Sequence, residues 1–281
     1  MPEIRAARVV SRFATLFDKM PAMFEVLYGS VDRLVEFWSA MANAPQYLQS
    51  KLRHVRDHQR NFHPMTLFGD GVASYALGKA WSKTVNVWTF SCLTKSPAHQ
   101  GFRGLLAQML ITMCHKNDCV AKFNANTHKA IYKVLKWSLQ ALYDGIWPLL
   151  RPDNSPWPAS SDEQGRAGKL LAGGKRGVVW HINFDLDWAF ESLGLPRWNS
   201  RSPCAKCGVT IATVSDIRSP APWIDSVYDH DKFVRANLAT CPLFSVTDIT
   251  VETLKGDWLH SKHQGTDSYL FGGTLSGNPI I

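Results

Sequence analysis

The sequence predicts an α/β fold, a mixed sheet flanked by helices, on three observations. Val178–Glu191 reads V-V-W-H-I-N-F-D-L-D-W-A-F-E, a β-branched and aromatic run that ends in Asp185 and Asp187. Met65–Val72 has the same form: an apolar run stopped by Asp70, with Gly69 and Gly71 on either side. Strongly periodic helical stretches stand between these runs and ahead of them. Ligands of α/β sheets sit at the carboxyl ends of strands, so both aspartates are expected side by side, facing one cleft.

The elements follow in order. Residues 3–50 read as helical: Arg5 to Phe17 is apolar at helical spacing up to Pro21, and Val31 to Met41 is a second amphipathic stretch that breaks near Pro45. Lys51–Arg60 follows with four Lys/Arg and two His in ten residues. Pro64 precedes a strand over 65–74, and Gly78 marks a turn. Lys83–Cys92 alternates Val85, Val87 and Thr89 against Asn86, Trp88 and Phe90, the pattern of a second strand returning through a hairpin. Gly101–Cys114 is expected as an apolar helix and Asn126–Trp147 as another. Residues 151–166 are a Pro-, Ser- and Asp-rich surface loop. After the second aspartate strand, Trp188–Leu193 should be a helix stopped by Gly194 and Pro196. Residues 196–250 lack periodicity, with a strand expected within Leu243–Val251 and a helix start near Gly256.

Bulk composition narrows the classes. The chain has 281 residues, 45% of them hydrophobic and 11% aromatic, with eleven tryptophans, enough for a sizeable core. No stretch of 18 apolar residues suggests a membrane span, and the first residues lack a signal-peptide core. The formal net charge of +8 suits a polyanion such as nucleic acid, although a basic enzyme would share it. Six cysteines with one closely spaced pair point to thiols or a metal site rather than a disulfide framework.

Four constellations could carry chemistry. Asp70 with Asp185 could hold Mg²⁺ or Mn²⁺, which prefer oxygen ligands and promote phosphoryl transfer. The flanking Gly69 and Gly71 would let a phosphate approach the backbone. The plain alternative is a turn aspartate at 70 and a helix N-cap at 185. Cys204-x-x-Cys207 has the spacing of half a zinc site, which His260 and His263 could complete; two free thiols and two unrelated histidines are the alternative. Asp257-x-x-His260 could bind a metal or only hydrogen-bond. Trp180, Trp188, Trp198 and Trp223 could stack on bases, but core packing is the commoner use. Lys51, Arg53, Arg56 and Arg60 are either phosphate contacts or a solvated helix face.

In order, Gly69-Asp70, Phe184-Asp185-Leu-Asp187, Leu195–Ser200, Cys204-x-x-Cys207, Pro242-Leu-Phe244 and Gly256-Asp257-x-x-His260 resemble the RNase H-like catalytic core of eukaryotic cut-and-paste DNA transposases. The likeness is greatest to the divergent transposase-derived proteins of dinoflagellates and covers about residues 60–281. It implies an RNase H-like mixed sheet over 61–281, a helical segment over 1–60, and a Cys-containing insertion over 196–255. Asp70 on the first strand and Asp185 on the fourth would be the first two catalytic acids, with Asp187 a cap or supporting group. DNA is the implied partner and the nucleus the implied location. The family's third acid, usually glutamate, follows the [C/D]-x-x-H motif; after His260 this sequence has one acid, Asp267, and no glutamate. The expectation is thus a metal-dependent strand-cleaving core that is incomplete or inactive. The competing readings are a non-catalytic nucleic-acid-binding protein and a zinc-stabilised interaction module.

Overall fold

The computed structural model of the chain describes residues 30–73, 84–94, 109–119, 127–197, 199–216, 220–221 and 223–256. Five strands form one mixed sheet within them. They are β1 (Phe62–Ala73), β2 (Thr84–Cys92), β3 (Met109–His115), β4 (Arg176–Phe184) and β5 (Leu254–Gly256), in the order β3-β2-β1-β4-β5. β2 runs antiparallel to β1 and β3, whereas β4 is parallel to both β1 and β5. Two longer helices flank the sheet, α1 (Val31–Ala40) and α2 (Thr127–Asp144).

Alternation assigns the faces. Met65 and Leu67 of β1, Trp88 and Phe90 of β2, and Val179, Ile182 and Phe184 of β4 are buried in one cluster with Ile131, Tyr132, Leu135, Leu139 and Leu142 of α2. The helix has apolar residues at three- and four-residue spacing along this side and lysines at 129, 133 and 136 on its exposed side. The opposite face is covered at the amino ends of β1 and β4 by α1, through Leu34 and Trp38 against Phe62, Val178 and Trp180. Trp38 is fully buried, meets Trp180 edge-on at 5.1 Å, and donates its indole N–H to the Phe62 carbonyl at 3.0 Å. The β1–β4 ladder steps from Met65↔Val179 to Thr66↔His181 and so skips Trp180. The Gln46 side-chain amide donates to the Trp180 carbonyl at 2.8 Å, which satisfies a buried acceptor at the bulge.

In the described part of the N-terminal segment, α1 is followed by short helical turns at Pro45–Gln49, Lys51–His54 and His58–Asn61. The amphipathic stretch Arg5 to Phe17 lies outside the described residues. The Asp248 carboxylate accepts from the backbone N–H of Lys51 (2.8 Å) and Leu52 (3.1 Å) and from the Tyr143 hydroxyl (2.7 Å). One side chain thereby joins the N-terminal turns, α2 and the segment leading to β5.

Two expected elements are corrected. Residues 109–114, placed in an apolar helix by the sequence, belong to β3; residues 101–108 lie outside the described residues. An apolar run such as M-L-I-T-M-C-H fits either period, and the open edge of β2 decides for strand. Ile111 is buried there while Leu110 and Met113 stay exposed on the edge strand. Leu243–Val251 is not a strand but two 3₁₀ turns, Pro242–Ser245 and Val251–Thr253, and the strand begins only at Leu254. Pro242 lacks the N–H a ladder needs, and the Thr250 and Thr253 side chains cap the second turn instead. Phe233, Leu243, Phe244, Val246, Ile249 and Val251 of the expected insertion are buried in the main core.

Buried His63 gives the fold an acid limit. It lies on β1 at 1% exposure, and burial, with Lys175 adding, lowers its pKa to about 4. The unfolded chain takes up this proton near the ordinary value of about 6.5, so stability falls as pH drops from there toward the folded value. Urea unfolding is expected to show about 2 kcal/mol less stability at pH 4.5 than at pH 7 from this group. In His63→Leu that part of the acid sensitivity should disappear; an unchanged difference would show that His63 does not cause it.

Candidate functional site

The first and fourth strands are neighbours, and each carries one of the two aspartates at its carboxyl end. Phe68 of β1 pairs with Asn183 of β4, and Asp70 and Asp185 each follow two residues later. Paired residues of parallel strands share a face, and a step of two preserves it. Both aspartates therefore belong to the face opposite α2, together with Thr66, Phe68 and Asn183. Both are partly buried. A cavity of about 290 Å³ opens against this part of the sheet, lined by residues that include Thr66, Phe68, Thr89, Ser91, Leu93 and Asn183 but neither aspartate. Asn183 donates to the Thr66 hydroxyl at 3.1 Å across its floor.

Each carboxylate has one oxygen engaged locally. Asp70 Oδ1 accepts from the Gly71 N–H at 2.6 Å. Asp185 Oδ1 accepts from the Trp188 N–H and caps the helical turn Leu186–Trp188, which continues as a π-turn to Leu193 and stops at Gly194 with φ of 71°. Of the local roles read from sequence, the N-cap at Asp185 is present, whereas Asp70 lies within β1, paired with Val87 of β2, and not in a turn. Asp187 lies exposed in the first turn; the cap is Asp185.

Gly69 has a different use from the one its sequence suggests. A Cβ built there would stand 1.7 Å from Cζ2 of Trp188, so the absent side chain is filled by an indole, not left for a phosphate. The cap on Trp188 and the gap at Gly69 form one device: Asp185 fixes the turn that seats Trp188 against the strand carrying Asp70. Trp180 and Trp188 are core residues at 2% and 7% exposure; Trp198 lies outside the described residues.

Cys204 and Cys207 are reduced and sit in a loop tied to residues 226–228. Cys207 bridges Val227, Tyr228 N–H donates to the Lys206 carbonyl at 2.8 Å, and Gly208 N–H donates to the Ser226 carbonyl at 3.2 Å. The Lys206 N–H donates to Cys204 Sγ at 3.2 Å. Burial raises the Cys207 thiol pKa, while an N–H bond from Val209 opposes that shift. Among the described residues no third His, Cys, Asp or Glu joins them in a metal-sized cluster. His260 and His263, the expected partners, and Asp257 lie outside the described residues.

The basic run is separated from the acids. Lys51, Arg53, Arg56 and Arg60 are all exposed and lead into the amino end of β1. The eight residue steps from Phe62 to Asp70 span roughly 26 Å of strand. The run and the aspartates thus mark opposite ends of the sheet.

Sequence reasoning missed two polar groups. His128 of α2 accepts from the Asn86 amide (3.2 Å) through Nε2 and faces the Glu191 carbonyl and Ser192 hydroxyl through Nδ1, with burial lowering its pKa. His181 and Lys255 share the aspartate-bearing face by strand register, and the Lys206 charge acts on both; no spacing in the sequence links the three. Among the described residues no helix is long and apolar enough to cross a membrane. Comparison of the sequence with protein-family models and with curated proteins finds no match.

Proposed function

We propose that this chain carries an RNase H-like core of the DNA-transposase type, in which Asp70 and Asp185 hold a divalent cation against a nucleic-acid phosphodiester. The observation that carries this reading is the placement of two acids, 115 residues apart in sequence, on one face at the adjoining carboxyl ends of β1 and β4. The sheet order supports it, since β1 lies directly between the hairpin strand β2 and the crossover strand β4.

The donor set fits a hard cation. Two carboxylates on neighbouring strands offer oxygen ligands, and in each the Oδ2 atom is the one not used by the local bond. Mg²⁺ or Mn²⁺, when bound, would polarise a phosphodiester and lower the pKa of an attacking water or hydroxyl. The protein's own part is orientation. The Gly71 N–H holds the Asp70 carboxylate, the Trp188 N–H holds that of Asp185, and the buried strands fix their spacing. A third carboxylate would be needed for strand cleavage in the parent family, so binding is the informative readout.

The test is the affinity of the full chain for a short DNA duplex with Mn²⁺ and with EDTA. The expected result is tighter binding in Mn²⁺, with that increment lost in Asp70→Asn, whose EDTA-state binding is no weaker than the parent's. An increment that survives in Asp70→Asn would overturn the reading. A zinc site at Cys204 and Cys207 is a separate proposal, favoured by the N–H bonds aimed at both sulfurs.

A further inference from the structure

We infer that Lys255, with Lys206 and His181 beside it, forms a phosphate-binding subsite on the aspartate-bearing face of the sheet, one that takes the backbone of a nucleic acid next to the phosphodiester held at Asp70 and Asp185. The inference rests on the proposed function for the identity of its ligand, but not for the existence of the cationic site.

The placement follows from register. Lys255 of β5 pairs with Asn183 of β4, which pairs with Phe68 of β1. Lys255 therefore stands in the same cross-strand row as Phe68 and Asn183 and shares their face. One strand spacing sideways and two residues along separate Lys255 from Asp185, roughly 8 Å between backbones. Asp70 is one strand further, roughly 12 Å away. His181 reaches this face from β4 at the pair with Thr66. Lys206 comes from the Cys204–Cys207 loop, whose backbone is pinned by Tyr228.

Three basic groups converge here, each partly buried. Among the described residues neither lysine forms an ion pair. Burial, followed by Lys255 and Lys206, lowers the His181 pKa to about 4. Burial and Lys206 also lower that of Lys255, against the single opposing pull of Glu252. Like charges gathered on a partly buried face repel one another, and an anion relieves that repulsion. A phosphate suits the site because lysine ammonium groups bind it as point charges. The spacing suits a polymer: neighbouring phosphates of one strand lie within several ångströms of each other, so one could face the aspartates and the next the lysines. The exposed run from Lys51 to Arg60, at the far end of β1, cannot serve that phosphate.

The experiment is DNA binding by the full chain in EDTA, where the Asp70–Asp185 cation is absent. Affinity for a single-stranded oligonucleotide is measured at several salt concentrations for the parent, Lys255→Gln, Lys206→Gln and Lys255→Arg, each checked for folding by circular dichroism. Each Gln variant should weaken binding and reduce the slope of log K against log salt by about 0.7, the value for one single-strand phosphate contact. Lys255→Arg should keep the parent slope. Inorganic phosphate at matched ionic strength should compete with DNA for the parent and not for Lys255→Gln. Folded Gln variants with the parent slope would overturn the subsite. Loss of the Mn²⁺ increment alone, with lysine effects intact, would instead count against the cation site and leave this one standing.

Discussion

Gly69→Ala is expected to destabilise the protein by about 3 kcal/mol or more, the upper end of overpacking costs. The added methyl would lie 1.7 Å from Trp188 Cζ2 and 2.3 Å from two further ring atoms. The ring has little room to retreat. Trp188 is 7% exposed and sits among Trp88 at 6.4 Å and Tyr132 at 6.4 Å, ring centre to ring centre. Its backbone N–H is also held by Asp185. Moving the indole therefore disturbs the turn that follows β4 and, with it, the Asp185 carboxylate. Trp188→Leu alone should cost stability by leaving a void, yet in the double variant the smaller leucine side chain leaves space for the new methyl. Chemical denaturation of the four proteins should thus give a double-mutant cycle with a favourable coupling of at least about 1 kcal/mol. Additive losses would mean that the two positions do not touch.

Trp38→Ala is expected to cost about 3–5 kcal/mol, the range for a fully buried large aromatic side chain. Trp38 is the centre of the second core: it meets Phe37 at 5.0 Å, Trp180 at 5.1 Å and Tyr47 at 6.1 Å, and its indole N–H bonds the Phe62 carbonyl. Removing it takes away the main contact by which α1 covers the amino ends of β1 and β4. Trp38→Phe separates the two contributions. It keeps most of the apolar packing and loses the hydrogen bond, so it should cost less than the alanine change. Hydrogen exchange should show faster opening of α1 in Trp38→Ala, with α2 protected until global unfolding. Equal acceleration in both helices would mean that α1 and the central sheet open as one unit.

Much of this architecture was legible in the sequence. β1, β2 and β4 show themselves through β-branched and aromatic runs, and α2 through its long apolar period. The adjacency of Asp70 and Asp185 follows from two runs of the same form, each ending in an acid. β3 was hidden because a short apolar segment has no period of its own and takes its form from the edge it pairs with. β5 has three residues and depends on β4 for its existence. The role of Gly69 was misread because a glycine beside an acid carries no record of what fills its missing side chain. That required Trp188, which lies 119 residues on in the chain. Lys206 and Lys255 escaped notice for the same reason: residues brought together from a loop and an edge strand have no sequence spacing, whereas the run at 51–60 is conspicuous and stands at the end of the sheet away from Asp70 and Asp185.

The central claim is that Asp70 and Asp185 share one cation. Calorimetric Mn²⁺ titration of the parent, Asp70→Asn, Asp185→Asn and the double variant tests it most directly. Shared ligation predicts that either single change weakens Mn²⁺ binding about tenfold or more and that the second change adds little. Equal affinity in all four proteins, or losses that simply add, would contradict it.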